Sequence, residues 1–206
     1  MSGGPISRGF RGRRSASAPT GRIPPGQYVT PDFPVLSAGP TPRVRLEDWT
    51  LALQDGGSLL ATWTWEQFEA LPRTRVTVDI HCVTKWSKLD TAWEGVTIDA
   101  LLAAAGLTEP PESFVMFHCD GGYTTNLPIE DLLDGKAMVA TRYEGLPLLP
   151  EHGGPARLLV PHLYFWKSAK WVRRLRFMAQ DEPGFWESLG YHNYGDPWQE
   201  QRYAGD

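Results

Sequence analysis

One cysteine stands where a predicted strand gives way to a polar loop, and this position suits metal chemistry. Residues 75–82 alternate β-branched and polar side chains, which predicts a strand that ends at Cys82. A loop at a strand end can present one side chain to a pocket, and Trp86 and Trp93 follow closely enough to wall it. A thiolate is a soft ligand for transition metals. The alternative is a buried structural cysteine that packs as a small hydrophobe.

Two His-Cys pairs, His81–Cys82 and His118–Cys119, make zinc a rival use of the cysteines. Neighbouring residues on a strand point to opposite faces, so one pair cannot easily give two ligands to one ion. The Cys-x-x-Cys spacing of ordinary zinc sites is absent from the sequence. The pattern therefore disfavours zinc.

A second chemical pattern is Lys-Ser-Ala-Lys at residues 167–170. Hydroxyl and backbone donors can bind phosphate oxygens, and lysine adds a point charge. Lys167, Ser168 and Lys170 are therefore candidates for a phosphate site. The alternative is a solvated turn.

Two further turns carry polar side chains beside glycine. His152 and Arg157 flank a Gly-Gly-Pro turn, and an imidazole with an arginine fork can clamp a polar anionic ligand. Asp120 opens the segment 120–128, where two glycines allow a close backbone approach to a ligand. The alternatives are a loop with an exposed histidine and a plain hairpin-like turn.

The elements that must position these residues are short strands mixed with short helices, without a strict strand–helix–strand rhythm, which predicts the α+β class. Residues 65–71 are predicted to form a helix with Thr64 as N-cap and Pro72 at its end, and residues 97–105 a second helix closed by Gly106. Strands are predicted at 44–53, 75–82, 113–118, 137–142, 156–160 and 171–178, with a helical turn at 128–133. No internal repeat or glycine-rich phosphate loop is present in the sequence.

Composition predicts one globular domain at residues 26–206, preceded by a flexible basic tail at residues 1–25. The chain has 206 residues, of which 41% are hydrophobic, and no apolar run is long enough to span a membrane. The first 31 residues hold five arginines and none of the 24 acidic residues, so the body is acidic, which argues against nucleic-acid binding. Arg13–Arg14 lacks the apolar stretch of an export signal, and two cysteines give no disulfide framework, so a cytoplasmic location is expected.

Taken in order along the chain, these patterns resemble the molybdopterin-binding domain of the sulfite-oxidase superfamily. The series runs Cys-x-x-x-Trp-Ser at 82–87, Asp-Gly-Gly-Tyr-Thr-Thr-Asn-Leu-Pro at 120–128, Pro-x-His-Gly-Gly-Pro-x-Arg at 150–157 and Trp-Lys-Ser-x-Lys-Trp at 166–171. Short, stand-alone sulfite-oxidase-like oxidoreductases look closest, and the catalytic subunits of bacterial methionine-sulfoxide reductases are also similar. The resemblance covers about residues 28–203 and implies the sulfite-oxidase fold, with mixed sheets and short helices.

The resemblance also implies a molybdenum–molybdopterin cofactor. Cys82 matches the family's metal-ligating cysteine, and Tyr191 falls where sulfite oxidases place an active-site tyrosine. The cofactor-binding residues it implies are Asp120, His152, Arg157, Lys167, Ser168 and Lys170. The implied reaction is oxygen-atom transfer to or from a small substrate, with single electrons exchanged with a partner protein that carries flavin, haem or an iron–sulfur cluster.

Two departures from the sulfite oxidases bear on the substrate. Those enzymes carry arginines shortly after the metal-binding cysteine and in the proline-rich approach segment, where this chain has Lys85-Trp86-Ser87 and Thr30-Pro31-Asp32. A sulfite dianion favours such an arginine cluster, so the resemblance leaves the substrate open. The alternative function is a non-catalytic module that keeps the fold and binds molybdopterin or a partner.

Overall fold

Two mixed β-sheets form the frame of the protein, whose computed structural model describes residues 21–206. The strands are β1 (Tyr28–Val29), β2 (Thr50–Asp55), β3 (Ser58–Thr64), β4 (Thr74–His81), β5 (Trp86–Thr97), β6 (Phe114–Cys119), β7 (Thr124–Pro128), β8 (Met138–Tyr143), β9 (Leu146–Pro147), β10 (Arg157–Leu159) and β11 (Val172–Met178). The α-helices of these residues are α1 (Trp65–Glu69) and α2 (Ile98–Ala104). None of the described helices has the length and apolar character needed to cross a bilayer.

The first sheet has six strands and centres on the long strand β5. β4 pairs with β5 antiparallel, from Thr74 opposite Gly95 to His81 opposite Ser87. β1 pairs with the start of β5 in parallel, β8 pairs with its end antiparallel, and β9 and β10 both pair with β8. This register brings Cys82, the residue after β4, beside the first residues of β5.

The second sheet has five strands in the order β3-β2-β11-β6-β7. β11 runs parallel to β2 and antiparallel to β6. Two mixed sheets with only short helices confirm the predicted α+β class.

Buried apolar side chains form two groups. The main core joins both sheets and α2, and its members include Leu53, Leu102, Phe117, Cys119, Val139, Leu158 and Leu175. The smaller group consists of Ile80, Cys82, Trp86, Trp93, Met138, Ala140, Leu148, Leu159 and Phe165. The two cysteines of the chain therefore lie in different cores.

Local signals placed most of the predicted elements correctly. Both helices are present, and Thr64 caps α1 in a capping box with Gln67. Five of the six predicted strands match β4, β6, β8, β10 and β11 to within about two residues at each end. The strand predicted at 44–53 starts only at Thr50, because Leu46–Asp48 form a 3₁₀ turn.

Strands β3, β5 and β7 were not predicted from the sequence. In β5 the two-residue alternation fails, because Trp86, Ser87, Ala92 and Trp93 are buried as adjacent pairs. Asp90 has a φ of 55°, and its N–H donates to Asp79, where the pairing of β4 with β5 shifts register. Such a bulge erases the pattern from which a strand is read.

The predicted basic tail falls mostly on residues 1–20, which lie outside the described residues. Arg22, assigned to that tail, contacts the domain body: its guanidinium pairs with Asp79 and Asp90, each at 2.6 Å. The flexible character of the tail therefore stays a prediction, and the chain from Arg22 onward packs against β4 and β5.

Candidate active site

Cys82 lies on a tight turn that leaves β4 and enters β5. Its N–H donates to Trp86 O at 2.8 Å, and its carbonyl accepts from the N–H of Lys85 at 2.9 Å. The residue is 7% exposed, and its Sγ accepts a hydrogen bond from the Thr84 hydroxyl at 3.2 Å. Burial raises the pKa of Cys82, while the Thr84 hydroxyl and the charge of Arg202 oppose this rise. A bound metal cation would take the place of the thiol proton in this setting.

The two His-Cys pairs do not form a zinc site. Within residues 21–206, no three His, Cys, Asp or Glu side chains are grouped so that they could hold a metal. His81 Nδ1 lies 2.8 Å from Ser87 Oγ, and burial lowers the pKa of both His81 and His118 to about 4. Among residues 21–206, the Cys82 thiol is thus not part of a cluster of His, Cys, Asp or Glu side chains that could hold a metal.

An aromatic wall adjoins the Cys82 thiol. The rings of Phe33 and His152 are stacked, with centroids 4.0 Å apart and planes 10° apart. Phe33 also meets Trp86 at 6.3 Å and Phe165 at 5.9 Å between ring centroids. Trp86 and Phe165 belong to the same core as Cys82. Flat aromatic surfaces of this kind suit a planar heterocycle.

Arg157 and Lys170 are two cations without counterions. Arg157 is 1% exposed; it donates to His152 O at 2.7 Å and Ser168 O at 2.6 Å, and its guanidinium lies 4.2 Å from the Phe165 ring centroid. Lys170 Nζ donates to the carbonyls of Leu36 and Glu151. Neither side chain forms an ion pair with a described residue. Burial lowers the pKa of Arg157 to about 9, and burial together with the charge of Arg157 lowers that of Lys170 to about 8.

A glycine turn holds these two cations and His152 together. Gly153 has a φ of 105°, and a Cβ there would lie 3.0 Å from Arg157 Cβ and 3.1 Å from Lys170 Cα. Any larger residue would push the two side chains apart. His152 Nδ1 is buried without a hydrogen-bond partner, and burial lowers its pKa, as do the charges of Arg157 and Lys170. The turn thus presents an unpaired nitrogen next to two cations.

The side chains of Lys167 and Ser168 point into the protein interior rather than toward Arg157, Lys170 and His152. Lys167 is fully buried; its Nζ pairs with Glu187 at 2.6 Å and donates to the backbone O of Asn126 at 2.8 Å. Ser168 Oγ accepts from Val160 N–H at 2.8 Å. Their hydrogen-bonding capacity is used within the fold, so their assignment to the cofactor phosphate stays a prediction, with Lys170 the better placed of the two lysines.

Asp120 lies on the 3₁₀ turn between β6 and β7. Its Oδ1 is 3.8 Å from Arg173 Nε, and its Oδ2 is buried without a partner. The following segment is not the open loop considered from the sequence, because residues from Thr124 to Pro128 form β7. Asp120 itself remains at the end of a strand with one carboxylate oxygen free to accept.

Tyr191 lies in an aromatic cluster that includes Trp166. Its ring is 5.2 Å from Trp166, 5.0 Å from Trp186 and 5.7 Å from Tyr203, measured between centroids. It lines a cavity of about 450 Å³ together with Asp181, Pro183, Glu187, His192, Asn193, Ala204 and Gly205. Burial raises the pKa of Tyr191, and the charges of Tyr203 and Cys82 raise it further. The phenol therefore stays protonated at neutral pH.

Sequence reasoning missed two residues that contact this site. Phe33 stacks on His152, although the sequence analysis assigned it no role. Arg202 bonds the Val83 carbonyl at 2.7 Å, next to Cys82. A signal for Arg202 existed, because it is the only Lys or Arg after Arg176 in an otherwise acidic stretch.

Comparison with known proteins agrees with this geometry. The family model of the oxidoreductase molybdopterin binding domain matches residues 38–186. The uncharacterized oxidoreductase YuiH of Bacillus subtilis is 45% identical over 96% of this chain and 100% of its own length. Mitochondrial sulfite oxidase of Drosophila melanogaster is 25% identical over 82% of this chain, which corresponds to 34% of that protein. The crystal structure of the sulfane dehydrogenase SoxCD from Paracoccus pantotrophus shares the fold, with a TM-score of 0.59 and 24% identity over 68% of this chain and 40% of its own.

The chain belongs to the family of oxidoreductase molybdopterin binding domains. It is a molybdopterin-dependent oxidoreductase, and its cofactor is molybdenum–molybdopterin, as the sequence resemblance predicted. The matched range includes Cys82 and the His152–Lys170 region but not Tyr191 or Arg202.

Proposed function

We propose that the protein transfers an oxygen atom to or from a small substrate and that Cys82 is its ligand to the metal. The observation that carries this proposal is that Arg157 and Lys170, two cations without a carboxylate partner among residues 21–206, flank the His152 turn, and Arg157 lies against Phe165 of the Cys82 core. Phe165 links the two features, because it packs with Cys82 and lies under the Arg157 guanidinium. A thiolate ligand and a phosphate clamp on one wall are what a metal–pterin phosphate requires.

The residues present fit this cofactor. Lys170 would hold the phosphate, while Arg157, whose guanidinium already bonds the carbonyls of His152 and Ser168, would fix the His152 turn and add positive charge next to the anion. His152 Nδ1 and Asp120 Oδ2 are buried atoms without partners and can bond the pterin. When bound, the cofactor supplies two-electron redox chemistry that no side chain here provides.

Tyr191 is proposed to donate a hydrogen bond or proton to the substrate oxygen. Its phenol keeps the proton, because burial and the charges of Tyr203 and Cys82 all raise its pKa. The cavity that it lines also contains Asp181 and Glu187, and no lysine or arginine is among the described residues that line it.

An electron-transfer partner and a cytoplasmic location belong to the same proposal. Oxygen-atom transfer oxidises or reduces the enzyme by two electrons, so a flavin, haem or iron–sulfur protein must return it to its starting redox state. Both Cys82 and Cys119 are free thiols in the structure, which supports a reducing compartment.

The experiment compares Lys170→Met with Lys136→Met. Lys136 Nζ also bonds only a backbone carbonyl, that of Glu130, but it lies on the exposed surface. Both variants are purified from a host that makes the cofactor, and bound molybdopterin is measured as its fluorescent oxidation product. Loss of one charge-assisted hydrogen bond, about 1.5–3 kcal/mol, should weaken retention by Lys170→Met roughly tenfold or more. Equal retention by the two variants would contradict the phosphate assignment.

A further inference from the structure

Arg202 joins three segments of the chain at the loop that carries Cys82. Its guanidinium donates to Val83 O at 2.7 Å and Pro25 O at 3.4 Å, and it lies 5.0 Å from the Tyr164 ring centroid. The Glu200 carboxylate is 3.6 Å away. Arg202 is 8% exposed although it lies only four residues before the last residue of the sequence. An arginine is needed for this arrangement, because one planar fork bonds two carbonyls and stacks on a ring.

The segment that carries Arg202 also holds Tyr191. His192 N–H donates to Arg202 O at 3.2 Å, and Tyr191 and Tyr203 form an antiparallel bridge. The Asp206 carboxylate closes the segment by accepting from the N–H groups of Arg202 at 3.0 Å and Tyr203 at 2.7 Å. Residues 200–206 therefore contact both the Cys82 loop and the predicted catalytic tyrosine.

The chain also packs closely against the other side of Arg202, at Gly26. Gly26 has a φ of 69°, and a Cβ there would lie 2.8 Å from Glu200 Oε1 and 3.4 Å from the Arg202 guanidinium. The next residue, Gln27, donates to the Cys82 carbonyl at 3.1 Å. The Cys82 loop is thus held by Gln27 from one segment and by Arg202 from another.

We propose that Arg202 is a positioning residue of the active site: it clamps residues 200–206 onto the Cys82 loop and so fixes Cys82 and Tyr191 relative to each other. This inference rests on the proposed roles of Cys82 and Tyr191. The family model matches residues 38–186, so Arg202 lies outside the matched range, whereas the Cys82 loop lies within it.

The test measures access to the Cys82 thiol. Full-length wild type, Arg202→Met and Arg202→Lys are made without cofactor and treated with iodoacetamide, and alkylation of Cys82 and Cys119 is followed by mass spectrometry. Alkylation rates are measured across pH and expressed per thiolate, because Arg202→Met also removes a charge that lowers the pKa of Cys82. On that basis, loss of hydrogen bonds worth about 1–2 kcal/mol should raise Cys82 alkylation roughly fivefold to thirtyfold in Arg202→Met. Arg202→Lys should lie in between, because one donor group remains. Cys119, buried in the main core, should not change.

Arg176→Met is the matched control, because Arg176 pairs with Glu182 at 2.7 Å on the other sheet. Unchanged Cys82 alkylation in both Arg202 variants, or an equal rise in Arg176→Met, would overturn the proposal. If Arg202→Met fails to fold, Arg202→Lys carries the same comparison. The loaded enzymes give a second readout: the Mo(V) spectrum should change in the Arg202 variants and not in Arg176→Met.

The alkylation result does not depend on the metal. Retention of molybdenum by Cys82→Ser with an unchanged spectrum would contradict the assignment of Cys82 as metal ligand. Unchanged Cys82 alkylation in the Arg202 variants would contradict only the positioning role of Arg202. The two failures are therefore distinguishable.

Discussion

The dipeptide His-Cys occurs twice at the end of a strand, and the two copies show how differently one pattern can be used. Cys119 follows His118 and is buried in the main core, where burial and the charge of Asp120 raise its pKa. Cys82 follows His81 and is also buried, but it accepts a hydroxyl hydrogen bond and shares its core with a cation-bearing wall. Burial therefore does not distinguish the two cysteines; what differs is the Thr84 hydrogen bond to Cys82 and the core that Cys82 shares with Phe165.

The two lysines of the Lys-Ser-Ala-Lys segment differ in a similar way, because Lys167 pairs with Glu187 and Lys170 has no ion-pair partner among residues 21–206. Replacing Lys167 should have the largest effect on stability. Lys167→Met leaves Glu187 buried without its cation, which should lower the free energy of unfolding by about 3–5 kcal/mol. Lys170→Met removes a cation that has no ion-pair partner, so it should change the stability of cofactor-free protein far less. Urea unfolding of both variants checks this contrast, and similar losses would show that the division of the segment is wrong.

Tyr191→Phe should have the next largest effect, on turnover rather than on stability. The aromatic cluster keeps its ring, but the proton donor is lost, which should lower kcat about a hundredfold if general acid catalysis is its role. Molybdenum content should stay as in wild type. Tyr203→Phe is the control, since Tyr203 pairs with Tyr191 and is 55% exposed. An equal loss in both variants would assign Tyr191 a packing role.

A third contrast is a pH dependence of stability at Lys170. Burial lowers the pKa of Lys170 from its ordinary 10.5 to about 8, so the unfolded chain holds this proton more tightly. Between these values the unfolded state binds more protons, and the free energy of unfolding must rise with pH at this site. The stability of wild type relative to Lys170→Met should therefore be flat up to pH 8 and increase from 8 to 10.5. A flat difference across that window in urea titrations would contradict the shift.

Sequence reasoning succeeded where the signal is local. The capping box of Thr64 and Gln67 involves residues three apart, and the alternation of β4 marked the strand end at which Cys82 stands. The turn of His152 and Arg157 was identified because glycine and proline limit the backbone there. The ordered series of such local patterns was enough to indicate the family.

Contacts between distant segments could not be read in this way. Arg202 meets Val83 across 119 residues, and Lys167 meets Asn126 across 41, so neither contact leaves a pattern along the chain. Lys167 and Lys170 carry the same charge in one short segment, and only the buried carboxylate of Glu187 tells them apart. Local patterns supplied most of the candidate site residues and the resemblance supplied Tyr191, but only the fold separated Lys170 from the internally bonded Lys167.

The most direct test of the central claim is electron paramagnetic resonance with metal analysis on wild type, Cys82→Ser and Cys119→Ser from a cofactor-competent host. We expect wild type and Cys119→Ser to contain molybdenum with the same thiolate-rich Mo(V) signal. Cys82→Ser should lose activity and either lose the metal or show an altered signal, while its fold is retained. An unchanged signal and activity in Cys82→Ser, or no molybdenum in folded wild type, would contradict Cys82 as the metal ligand.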